Sequence, residues 1–189
     1  FLENTLLSLT KSSLVERVLV VTQEPVHFKM DRCRVLVAGP LSSHETLSLI
    51  LSGIRTKYFL LLPGPQQISL EPKALERILG VAESTKVGLV YSDFYDESEH
   101  GKTLHSLNDY QPGSVRDDFD FGAMVLFAVP AVREALSKYG VTSRVNFAGL
   151  YDLRLKVSID HLVYHLREPL YSVIESAGRI HELSLQEKI

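Results

Sequence analysis

The densest group of residues able to do chemistry is Arg116-Asp117-Asp118-Phe119-Asp120. Asp118 and Asp120 alternate, so on an extended loop they could act together as ligands for a metal or for sugar hydroxyls. The plainer use of the same residues is a loop held by aspartate-to-backbone hydrogen bonds and an Arg116 ion pair. Asp93 is the second candidate. It closes the apolar run 86–92, where a strand delivers side chains to the carboxyl edge of a sheet. There it either meets a hydroxyl of a bound ligand or only shapes a turn.

Other polar groups read more blandly. Asp96, Glu97 and Glu99 form a solvated acidic turn ahead of His100-Gly101. His161 and His165 are four apart, a spacing used by zinc sites on helices. No third ligand accompanies them, and residues 162–164 read as strand. Half-buried histidines are the simpler reading, and the same holds for His100 and His105 beside the hairpin. Ser92 has no triad partners in view. Arg154 and Lys156 lie on a helix near the sheet edge; they could meet phosphate, but solvated charges are the default. The single cysteine, Cys33, precedes an apolar run and reads as a buried, inert thiol.

These residues need a scaffold. Leucines 2, 6 and 9 give one apolar helical face. Residues 15–22 and 33–39 are apolar, β-rich runs that read as buried strands. Residues 43–53 read as a helix with a serine cap and a glycine near its end. Residues 58–62 form a third, buried strand, followed by Pro63-Gly64-Pro65 and a helix opened by Glu71-Pro72. Residues 86–92 are a fourth strand. Residues 102–107 complete a hairpin, and 108–122 form a polar loop too long for a simple connector. A strand at 123–129, helices at 130–139 and 151–159, and an extended segment at 161–171 follow. Strands alternating with helices predict an α/β domain with a mostly parallel central sheet.

Composition places limits on partners. The chain has 189 residues, enough for one sizeable core. Its formal net charge of −3 argues against nucleic acid as a main partner, since phosphate binding needs a basic surface. No run approaches the ~20 apolar residues of a membrane span. A lone cysteine fits a reducing compartment, so the expectation is a cytoplasmic protein. The abrupt opening at Phe1-Leu2-Glu3-Asn4 suggests a longer parent chain.

With the elements in place, the chain resembles the family 2 glycosyltransferases of the GT-A fold. The resemblance rests on several pieces in order. They are the strand and proline-opened helix of 58–79, the segment Val90-Tyr91-Ser92-Asp93 leading to His100-Gly101-Lys102, Tyr151-Asp152-Leu153, and Glu168-Pro169-Leu170-Tyr171. It implies a Rossmann-like, GT-A-like three-layer α/β/α domain spanning 1–189 and lacking the family's first strand, which would lie before Phe1. It also implies a nucleotide-diphosphate sugar donor, a hydroxyl acceptor and bound manganese or magnesium. On the same resemblance the family's acidic positions would fall at Thr22 and Gln23, at Pro63-Gly64-Pro65, and at Gly149 and Leu150. None is acidic. Proline and glycine side chains offer a metal no oxygen, and leucine accepts no proton.

Two functions follow. One is a catalytically lapsed, glycosyltransferase-like domain that binds or scaffolds beside an active transferase domain in the parent chain, with no cofactor of its own. The other is an active transferase in which Asp93 and the 117–120 acids carry the chemistry. In either, the long loop is expected to fold over the carboxyl edge, bringing Arg116, Asp117 and Asp118 towards Asp93. The expected ligand is a neutral sugar or polyol, because clustered carboxylates repel diphosphate. A nucleotidyltransferase of related fold is disfavoured, since no glycine-rich phosphate loop is present.

Overall fold

A computed structural model of the protein describes residues 2–27, 29–41, 43–111, 119–140 and 149–174. Helix α1 (Leu2–Lys11) buries Thr5, Leu6 and Leu9 on one face. Strands β1 (Val18–Thr22) and β2 (Cys33–Val37) then form a parallel pair. Helix α2 (His44–Gly53) starts where the Ser43 side chain accepts the Thr46 N–H, as the sequence suggests. Strand β3 (Tyr58–Leu61) follows, then β4 (Gln67–Leu70) and helix α3 (Ala74–Thr85). The Thr5 hydroxyl donates to the Ile68 carbonyl at 3.0 Å and accepts the Ile68 N–H at 2.9 Å, tying α1 to β4.

Strands β5 (Leu89–Ser92), β6 (Phe94–Ser98) and β7 (Gly101–His105) come next. After them are β8 (Val125–Ala128), α4 (Val129–Tyr139), α5 (Gly149–Asp160), β9 (Val163–Leu166) and β10 (Tyr171–Ile174). One four-stranded sheet has the order β3-β8-β5-β9 and the other β4-β10-β6-β7. The core lies around the first. All four residues of β5 are buried, and Leu89, Val90 and Tyr91 are completely shielded. Val125 and Phe127 of β8 join them, with Ile78, Val132 and Val157 arriving from the helices.

The architecture is mixed α/β, which corrects the expectation of a mostly parallel sheet. Strand β8 lies antiparallel between β3 and β5, and β4 and β7 are antiparallel to their partners; β5–β9 and β6–β10 are parallel. A parallel neighbour needs a long crossover, commonly a helix; β8 instead pairs antiparallel with both of its neighbours.

Three local readings also change. Of the acidic turn read at Asp96, Glu97 and Glu99, only Glu99 is an exposed turn residue; Asp96 and Glu97 lie in β6 and face Thr103 and Lys102 across the hairpin. The extended tail divides into β9 and β10, which belong to different sheets. Strands β1 and β3 are half-buried rather than sealed, and Cys33 is likewise only half-buried. Strand β3 lies at the end of its sheet with β8 alongside, so Leu61 is not the central core residue that its apolar run implies. No helix among the described residues is long and apolar enough to cross a membrane.

Candidate functional site

Asp93 links β5 to β6 and is 6% exposed. Its Oδ1 accepts the Leu107 N–H at 2.8 Å and lies 2.8 Å from His165 Nε2. The other ring nitrogen of His165, Nδ1, is 2.7 Å from Asp109 Oδ1. Arg167 closes the chain: its Nε donates to Asp109 Oδ1 at 3.2 Å and its Nη2 to Asp109 Oδ2. The result is a line of polar contacts, Asp93–His165–Asp109–Arg167, that runs from the interior to the surface.

Local structure explains the assembly. His165 is opposite Tyr91 in the β5–β9 register, and the two rings stack with centroids 4.8 Å apart. The Tyr91 hydroxyl donates to the Asn108 carbonyl at 2.5 Å, which fixes the start of the long loop beside the site. Burial holds the Tyr91 phenol protonated well above its ordinary range. His165 and Arg167 are two residues apart in extended chain, so both reach the same side. His165 presents a nitrogen to each of two carboxylates, and both contacts are satisfied together when the ring carries both protons. The described hydrogen bonds to the Asp93 carboxylate all fall on Oδ1, and Oδ2 receives none among the described residues.

Paired first by Arg167 and then by His165, the Asp109 carboxyl is held down at about 2. A carboxyl depressed from about 4 to about 2 contributes stability that is fully present above pH 4 and fades as pH falls through 2. Asp109→Asn should therefore flatten the acid limb of a stability-versus-pH curve between pH 4 and 2 and leave the limb above pH 5 in place. Urea midpoints across that range measure it, and an unchanged acid limb would refute the pairing.

A second layer surrounds this line. Phe121 meets Tyr91 edge-on at 5.2 Å, and Phe119 meets Phe121 at 4.7 Å. Arg154 of α5 lies over the Phe121 ring, 4.7 Å from its centroid. Asp120, between the two phenylalanines, accepts the Gly122 N–H at 2.7 Å. It also faces His105 at 3.9 Å, while His105 bonds Asp96 at 2.8 Å and stacks on Phe94 at 4.3 Å.

Of the site residues suggested by sequence, Asp93 and Asp120 are described, and they stand in neighbouring parts of this cluster. Arg116, Asp117 and Asp118 lie outside the described residues, as does the proposed placement of residues 112–118 over the edge. The described ends of that loop do reach the site, through Asn108 and Asp109 on one side and Phe119 to Gly122 on the other. Sequence reasoning missed Asp109 and Arg167 and read His165 as an ordinary histidine. The available signal was the alternation of His165 and Arg167 in a strand facing Asp93. The β3–β4 connection carries Pro63, Gly64 and Pro65. Among the described residues no three His, Cys, Asp or Glu side chains are grouped to hold a metal.

No protein-family model matches the chain, and no curated protein does. Among solved structures it is similar to 2-C-methyl-D-erythritol 4-phosphate cytidylyltransferase (IspD) from Francisella tularensis. The TM-score is 0.55 at 10% identity, over 98% of this chain and 86% of that one. The fold is similar to that of a nucleotidyltransferase. At this identity the likeness concerns fold alone and not the family 2 glycosyltransferases in particular.

Proposed function

We propose that the chain is a glycosyltransferase-like domain whose metal and diphosphate chemistry has lapsed, and which binds a sugar or glycan at the carboxyl end of β5. The observation that carries this reading is the β3–β4 connection. Where a nucleotide-sugar enzyme needs carboxylates, Pro63-Gly64-Pro65 offers backbone carbonyls only. The nucleotidyltransferase-like fold supports the scaffold half of the reading. Asp93 Oδ2, which has no hydrogen-bond partner among the described residues, and the carboxylate of Asp120 support the ligand half, since carboxylates accept hydroxyl hydrogen bonds. Binding beside an active transferase domain in a longer parent chain, with no cofactor here, belongs to the same proposal.

The second reading is an active transferase moving a sugar from a nucleotide diphosphate to a hydroxyl, with manganese or magnesium bound. Resemblance of the Tyr91-Ser92-Asp93 segment to the family favours it. Calorimetric titration separates the two. The expected result is that manganese does not strengthen binding of UDP-sugars, while a saccharide binds and Asp120→Ala weakens it. Manganese-dependent binding or turnover of a UDP-sugar would establish the second reading instead.

A further inference from the structure

Arg154 is the charged group that the fold leaves least provided for. Its Nε is sealed from solvent and has no hydrogen-bond partner among the described residues. No carboxylate among the described residues lies within 4.0 Å of its guanidinium. Asp120 acts on it only at longer range, and Asp120 already accepts the Gly122 N–H. The contact it does make is with the face of Phe121. Burial pushes its guanidinium down to about 10, far below the ordinary arginine range.

A partly desolvated cation with no paired acid is costly, and a cation–π contact offsets only part of the cost. Apolar replacement would remove that cost. An anion arriving from outside would remove it too, and the residue keeps part of its surface open to receive one.

Resting on the sugar-binding reading above, we propose that Arg154 is the specificity residue of the site, and that the ligand is a sugar bearing a carboxylate. The two Nη groups of the guanidinium match a planar carboxylate end-on in two parallel hydrogen bonds, while the sealed Nε takes no part. Charge argues for a single negative group. Asp93, Asp109 and Asp120 lie in or beside the same cluster and disfavour a diphosphate or a dianionic phosphate. These same acids accept hydroxyl hydrogen bonds from the rest of the sugar ring. The half-buried ring of Phe119, backed by the buried Phe121, supplies the apolar surface on which a pyranose face can rest. A uronate meets all three conditions at once; a neutral hexose leaves Arg154 unpaired.

The test is calorimetric titration of the full chain with glucuronate, glucose and glucose 6-phosphate, repeated on Arg154→Met and Arg154→Lys. Folding of each variant is checked by thermal melts without ligand. Glucuronate should bind at least about tenfold more tightly than glucose, and Arg154→Met should remove that advantage. Arg154→Lys, which keeps the charge without the fork, should retain part of it. Without ligand, Arg154→Met should melt no lower than the parent chain. A residue needed only for packing on Phe121 would instead lower the melting temperature and leave the glucuronate preference intact. Equal binding of glucose and glucuronate would overturn the inference while sparing the sugar-binding reading. Stronger binding of glucose 6-phosphate would overturn the carboxylate assignment. Failure of all three sugars to bind would overturn both.

Discussion

Asp93→Ala is expected to lower the unfolding free energy by about 3 kcal/mol or more. The carboxylate accepts the buried Leu107 N–H and faces His165, whose side chain is 4% exposed. Removing it strands two buried polar groups at once, each carrying a desolvation penalty of about 1–3 kcal/mol. Asp93→Asn keeps one acceptor oxygen and should cost clearly less. Leu61→Ala is the comparison: on a half-buried end strand it should cost about 2 kcal/mol or less, at the low end of core truncations. Urea denaturation of the three variants gives the ranking. A smaller loss for Asp93→Ala than for Leu61→Ala would mean that the buried network contributes little to the fold.

Gly88→Ala is expected to cost about 3 kcal/mol, the upper end of overpacking penalties. A β-carbon at Gly88 would lie 2.6 Å from His161 Cβ, 2.7 Å from Val157 Cγ1 and 3.3 Å from Ala131 Cβ. Two of these are themselves β-carbons and yield only if backbone moves. Gly88 cannot retreat either. Its N–H donates to the Leu162 carbonyl at 3.0 Å, and its carbonyl accepts the Ala128 N–H at 2.9 Å. The same substitution at Gly80, inside α3 with open space around it, should stabilise by about 0.5–1 kcal/mol. Thermal melts of the pair should move in opposite directions, and a neutral Gly88→Ala would show that α5 is not packed directly onto the start of β5.

Much of the scaffold could be read from the chain because its signals are local. Ser43 announced the start of α2 through its capping oxygen, Pro130 opened α4, and the apolar run at 86–92 became the buried β5. Other features escaped for physical reasons. Strand β4 has four residues close behind two prolines, too short for a period to emerge. Strand β6 was hidden by its charge: Asp96 and Glu97 belong in a strand because the side chains of His105 and Lys102 on β7 pair with them. That pairing is a property of the hairpin and not of either segment alone. The direction of β8 shows only in its pairing with β3 and β5, which its own sequence does not encode.

The site was half legible for the same reason. Asp93 stood out as an acid after an apolar run, yet its burial depends on residues 14 and 72 positions away. A solitary aspartate at a strand end looks exposed until a histidine from another strand is placed against it. Asp109 and Arg167, 58 positions apart, have no sequence pattern that joins them. Arg154 looked like a solvated helix charge because nothing local says that Phe121 covers it.

Strands β5 and β6 are one extended run interrupted at Asp93, and β9 and β10 run parallel beside them and change sheets at the same level. The main chain is stitched across the change: the Asp93 N–H donates to the Leu166 carbonyl and the Leu170 N–H to the Asp93 carbonyl, both at 3.2 Å. The Asp93–His165 contact adds a side-chain brace at that seam. Two rails bent together and braced at the bend resist shear better than either alone. A guest docking at the seam thus meets a stiff template, and little of its interaction energy is diverted into freezing mobile protein groups. If the proposed ligand docks at this seam, selection would work by fit to a rigid shape, more like a key in a lock than a hand closing on an object.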